Sequence, residues 1–315
     1  MTHPPPPGTP RARIPGPQQP PPPYPRIRAG LWKRCLGGGL AVWVPGMVVT
    51  YATRSTALLP TLVLLGSFLV PVTFVLWAYE RHGRDLGVSA ILGSFLAGGA
   101  LGVLGTAVME SYLLHPSLGM FTGVALAEEA AKAAALAFVL RRQPGVRGLR
   151  AGLVLGAAVG FGFAAMEGAG YAFDATLSTG GVDLRTLLET ELLRGVLAPF
   201  GHGLWTALAG GVLLSLRRVG GSFRCAAPVV GTYLGVCLLH LLWDSAHGIA
   251  ARLVARLAGG GPAGRLLPGS PAWPTAGQEH LFALFSIGGC LLVALAGVGW
   301  VRSLTLRESS WRNTP

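Results

Sequence analysis

The chain has 315 residues, 51% of them hydrophobic and 12% charged, with a mean hydropathy of +0.54. Charge at about half the globular norm cannot cover the surface of a water-soluble domain of this length. The formal charge of +12 calls for no nucleic-acid partner, because the basic residues are split among short segments and form no recognition motif.

Residues 1–25 hold 12 prolines. Such a stretch cannot bury a core, so residues 1–30 are expected to be a disordered, Pro-rich cytoplasmic tail. Beyond it come long apolar runs, and a run of roughly 20 residues is what crossing a hydrocarbon core requires. They cover residues 35–51, 57–79, 86–109, 118–140, 151–173, 195–216, 225–249 and 281–301. These runs are too long and too unalternating for barrel strands, and backbone in lipid must satisfy its own hydrogen bonds. The expected fold is therefore an all-α membrane protein, a polytopic bundle of about eight transmembrane helices. The first is the weakest helix former, because it contains Gly37, Gly38, Gly39 and Pro45.

With the N-terminus cytoplasmic, 18 of the 25 Lys and Arg residues fall in cytoplasmic segments. That distribution places both termini inside. Residues 31–305 then form one membrane domain in the cell membrane, with 306–315 as a short cytoplasmic tail. Cys35, Cys225, Cys237 and Cys290 have no paired spacing and are expected to be free thiols. Two outer segments are long. Residues 174–194 carry an amphipathic stretch, Val182, Leu184, Leu187, Leu188, Leu192 and Leu193, that suits the membrane surface, and residues 252–280 read as an irregular loop.

Ionisable residues at membrane depth mark functional sites, since each costs at least about 2.5 kcal/mol on insertion scales. The first three runs and the last contain none. The fourth to seventh contain Glu128, Glu129, Lys132, Glu167, His202, His240, Asp244 and His247. At about 1.5 Å per residue, Glu128, Glu167, His202, His240 and Asp244 fall at a shared level in the outer half of the membrane. Glu128 and Lys132 share a helix face, as do His240 and Asp244, while Glu129 is turned by about 100°. An imidazole paired with a carboxylate fixes a tautomer for metal binding or base catalysis. Gly152, Gly156, Gly160, Ala164 and Gly168 form a ridge of small residues that admits a neighbouring helix and seats Glu167 against it. Trp205 and Trp243 read as packing residues, and His247 as a solvated one.

Taken in order on successive runs, Glu128-Glu129-Ala-Ala-Lys132, Phe163-Ala-Ala-Met-Glu167, His202, and His240-Leu-Leu-Trp243-Asp244 resemble the PrsW family of intramembrane proteases. The layout is similar to the wider clan that includes type II CAAX prenyl endopeptidases. The Lys132 spacing and Glu167 favour the PrsW side. The resemblance implies an endopeptidase acting on a membrane-anchored protein, anti-sigma-factor-like, near the outer membrane face. It implies Glu128, Glu129, Glu167, His202 and His240 as catalytic residues, supported by Lys132, Phe163, Trp243 and Asp244.

Peptide hydrolysis needs a base for water, a donor or cation for the oxyanion, and an acid for the leaving amine. Glu128 is the expected base. Asp244 is the weakest fit, because an ionised Asp cannot donate to an oxyanion. Four carboxylates against Lys132 alone leave a net charge of −3, which burial does not permit. Either protons sit on two or more carboxyls, or a divalent ion such as zinc is held by His202, His240 and Glu167. A proton-coupled transporter and a non-enzymatic scaffold are the rival readings. No inverted repeat favours the first, and the complete motif set weighs against the second.

Overall fold

A computed structural model describes residues 30–113, 119–177, 184–257 and 275–312. The Pro-rich tail, Val182 and most of the 252–280 segment lie outside these. Every described element is helical. In chain order they are α1 (Leu31–Thr53), α2 (Leu59–Leu86), α3 (Val88–Ala97), α4 (Val103–Leu113), α5 (Met120–Leu140), α6 (Leu149–Leu177), α7 (Leu184–Leu197), α8 (His202–Ser215), α9 (Ala227–Asp244), α10 (Ala246–Leu257) and α11 (Ala276–Arg312). Seven helical stretches are long and apolar enough to cross a membrane. α5, at 21 residues, is long enough too, but it carries three charged residues, Glu128, Glu129 and Lys132, all of them buried. With α5 the count reaches the expected eight only when α7 and α8 are taken together as one stretch, Leu184–Ser215.

Two of the four glycines of α1, Gly39 and Gly46, have a packing role, while Gly37 and Gly38 face open space. A Cβ at Gly39 would run into the Leu69 side chain, and one at Gly46 would lie 2.8 Å from Leu62 Cδ2, so their absence lets α1 lie close on α2. Glu80 of α2 accepts hydrogen bonds from the Gly30 and Trp32 amides, at 3.0 and 3.2 Å, and so caps α1 from outside.

α6 runs through the middle of the bundle. Its small-residue ridge packs on α8 backbone to backbone: a Cβ on Gly152, Gly156 or Gly160 would meet the carbonyl of Gly210, Thr206 or His202. At Gly160 it would also lie 2.6 Å from the His202 carbonyl carbon and 2.9 Å from Gly203 Cα. Gly160→Ala therefore has to push away the helix that carries His202. We expect it to cost about 1–3 kcal/mol and to reduce activity, read as melting temperature and turnover in detergent. Gly170→Ala, on the same helix with nothing within 4 Å of the added carbon, serves as the neutral control. Equal melting temperatures for the two would contradict the close approach.

The structure departs from the expected elements in five places, each for a local reason. The third run is interrupted by a π-helical turn at Gly98–Gly102, where Gly98 and Gly99 meet the α6 carbonyls of Val159 and Gly162. Such bulges favour functional sites. The sixth run, 195–216, is not one helix. Pro199 lies in a 3₁₀ turn, Ala198–Phe200, and α8 begins only at His202; its 14 residues reach about 21 Å, short of a full crossing. The seventh run breaks at Ser245, so His240 and Asp244 end α9 while His247 opens α10. The described parts of 252–280 are helical at both ends rather than irregular.

The fifth departure concerns residues 184–194. Instead of lying on the membrane surface, α7 packs into the bundle against α2 and α6. Leu184 and Leu187 are buried, and Ser67 of α2 donates a 2.9 Å hydrogen bond to buried Glu191. Leu192 and Leu193 remain exposed. Amphipathicity alone cannot distinguish a helix that floats on lipid from one that docks on its neighbours.

Candidate active site

Lys132 is the centre of the polar cluster and is fully buried. Its Nζ donates to Glu129 Oε1 at 2.7 Å, to Glu128 Oε2 at 3.2 Å and to His202 Nδ1 at 2.8 Å, and it sits 4.2 Å from the centre of the Phe163 ring. The flexible lysine stem reaches both glutamates, so the turn between them does not separate their charges. Gly102, at the end of the π-helical turn, makes this possible: a Cβ there would lie 3.0 Å from the Phe163 ring and 4.0 Å from Lys132 Cγ.

An ammonium only donates, so His202 Nδ1 accepts and its Nε2–H is free to donate to Glu167 Oε2 at 3.0 Å. His240 Nδ1 lies 3.1 Å from Glu129 Oε1, which accepts its proton. His240 Nε2 then faces Asp244 Oδ2 at 3.3 Å and Glu128 Oε2 at 3.8 Å. A nitrogen lone pair set against two carboxylate oxygens requires a proton or a metal cation to hold the three together. The two imidazoles are 5.1 Å apart between ring centres, and Trp205 stacks on His240 at 4.6 Å. Trp205 is thus packing, as expected, but packing that fixes a site histidine. Trp243 touches Trp205 edge-on at 5.7 Å, one layer further out. His247 is exposed and rests near Phe282, outside the cluster.

These side chains sit beside a cavity of about 800 Å³. Glu128, Glu167, His202, His240 and Asp244 are on its wall, while Glu129 and Lys132 lie behind it. Glu128 turns Oε2 toward Lys132 and both imidazoles, and its Oε1 enters none of these contacts.

The structure adds to two expectations. The carboxylate grouped with the imidazoles is Glu128, not Glu167: single ligand atoms of Glu128, His202 and His240 lie within 4.8 Å of one another. Glu167 is held on the far nitrogen of His202. The charge of −3 also changes, because Arg194 of α7 forms an ion pair with Glu167. Four carboxylates against Lys132 and Arg194 leave −2. Arg194 escaped the sequence reading because it lies in a segment assigned to the outer surface. The one available signal was its place in the last turn before Pro199, close in sequence to His202.

A divalent ion fits this donor set. Held by Glu128, His202 and His240, it would neutralise the −2. Each imidazole would keep its other nitrogen on a carboxylate, Glu167 for His202 and Glu129 for His240, the usual arrangement behind a metal-bound histidine. Glu129 Oε2 is buried without a partner, a further sign of missing positive charge. For His202 Nδ1 to serve as a ligand, Lys132 would have to give up its 2.8 Å hydrogen bond there.

Proton acceptors, imidazoles and an open cavity inside a bundle of membrane-length helices define an intramembrane hydrolase. Residues 84–261 match the family described as PrsW family intramembrane metalloprotease. That match covers more than half of the chain, and the chain belongs to this family; it is a multi-pass intramembrane protease. No curated protein and no solved structure gave a match.

Proposed function

We propose that the chain is an endopeptidase that cuts a membrane-anchored protein, of the anti-sigma-factor kind, near the outer face of the cell membrane, with Glu128 as the general base. The observation that carries this is the placing of Glu128: one oxygen is held among Lys132, His202 and His240, and the residue faces the cavity. The held oxygen fixes the side chain. The other oxygen, Oε1, takes a proton from water as the water oxygen bonds to the scissile carbonyl carbon. The carbonyl π electrons move to its oxygen, and Glu128 then returns the proton to the amide nitrogen as the C–N bond breaks. Glu128, His202 and His240 are the residues that would hold an ion, zinc being our choice, and it would supply Lewis-acid activation of water and carbonyl. Glu167 and Glu129 keep the imidazoles oriented, and Lys132 and Phe163 hold the glutamate pair. Trp243 backs the Trp205–His240 stack.

The positive-inside orientation places the start of α5 and the ends of α4, α6 and α9 on the outer side. The cavity is lined there by Glu110, Met120, Phe121, Tyr171 and Asp244. A cut at that level releases an outer domain. In cells expressing the chain, membrane proteomics should find at least one ectodomain shed into the medium that stays membrane-bound with the Glu128→Gln variant. Identical shed fractions in the two strains would remove the proposal.

A further inference from the structure

Beside the Lewis acidity an ion would lend, the proposed hydrolysis still lacks a hydrogen-bond donor on the chain for the tetrahedral oxyanion. Glu128, Glu129, Glu167 and ionised Asp244 only accept. Each nitrogen of His202 and His240 already faces a partner, and Lys132 is fully buried with three. Two neutral donors beside the cavity, Trp205 Nε1 and Thr106 Oγ1, are unpartnered, but both atoms are buried below the wall. Arg194 differs from all of these. Its side chain is 33% exposed and lines the cavity.

We infer that Arg194 is a catalytic residue of this protease, the guanidinium that hydrogen-bonds the oxyanion of the tetrahedral intermediate. This rests on the hydrolytic reading above. The geometry supports it in three ways. Arg194 and His202 converge on one atom, Glu167 Oε2, so the guanidinium is within one carboxylate oxygen of a site imidazole. It is held from below, 4.5 Å over the Tyr171 ring. Finally, a guanidinium has five N–H donors, and only one bond, to Glu167, is formed among the described residues. The remaining donors are fixed in direction before substrate arrives. That is the property that makes an electrostatic donor effective in a water-poor site.

In the step itself, the scissile carbonyl oxygen gains the π pair as water adds. Arg194 receives that charge through an N–H hydrogen bond and transfers no proton. The charge returns to the carbonyl when the C–N bond breaks.

The test uses purified full-length protein, a quenched fluorescent peptide of transmembrane length, and the phosphinic analogue of that peptide as a tetrahedral mimic. Arg194→Gln should lower kcat by about 10²- to 10³-fold with KM changed less than about threefold. Affinity for the phosphinic analogue should fall in step with kcat/KM, while affinity for the cleaved product stays unchanged. Arg194→Lys, which keeps the charge beside Glu167, should fold and lose less. It carries the same comparison if the Gln variant melts early. A kcat within about threefold of wild type in Arg194→Gln overturns the inference alone, as does an equal loss of phosphinate and product binding, which would mark a merely structural role. A wild-type protein that cleaves nothing and binds the phosphinate no better than the peptide overturns the hydrolytic reading with it.

Discussion

Glu128→Gln is expected to abolish cleavage, with a loss of at least about 10²-fold and up to about 10⁴-fold, in a protein that inserts and melts as wild type does. Gln keeps the shape and an acceptor oxygen toward Lys132, 3.2 Å away in the native protein, so the helix packing should survive. It cannot take a proton from water, and because Glu128 is also one of the three grouped ligands, its metal content is read beside kcat to separate a lost base from a lost ion. The neighbouring variant separates position from chemistry: Glu129 lies behind the cavity wall and accepts from His240 and Lys132. Glu129→Gln should therefore disturb the imidazole and give a smaller loss in kcat. Near-normal turnover in Glu128→Gln would dismiss it as the base, and a larger loss in Glu129→Gln would reverse the two roles.

The second large effect concerns the metal. Purified protein should hold about one equivalent of zinc, and exhaustive chelation should stop cleavage until the ion is restored. Metal content in three variants then tests the ligand set directly. His202→Ala and His240→Ala each remove one of the three grouped ligands and should lose the ion. Glu167→Gln removes only the partner of His202 Nε2, at 3.0 Å, and should keep the ion with affinity weakened about 10- to 100-fold. Loss of metal in Glu167→Gln equal to that in the histidine variants would restore Glu167 as a ligand. Full activity in metal-free protein would instead assign the surplus −2 to protons shared among the carboxyls. His240, with a carboxylate at each nitrogen, is the first place such a proton would sit.

Sequence alone determined the class and the cast of residues. Membrane residence follows from apolar length, and the site follows from cost, because an ionisable group inside a membrane survives only where it has a function or a partner. Glu128, Glu129, Lys132, Glu167, His202, His240 and Asp244 were legible for that reason, and the structure gathers them at one cavity. The glycine ridge was legible too, since four-residue spacing puts it on one face of α6 whatever the partner. What the sequence could not give was the partner of each group. Glu128 and Glu167 look alike along the chain, and only the packing of α5 and α6 around His202 puts one at the shared ligand point and the other on the far nitrogen. Arg194 depended entirely on tertiary structure. An amphipathic helix has the same pattern on lipid as on protein, and docking of α7 against α2 and α6 turned a surface arginine into a wall of the cavity. The breaks before His202 and after Asp244 belong to the same class: hydropathy averages over a run and does not register where the helix stops inside it.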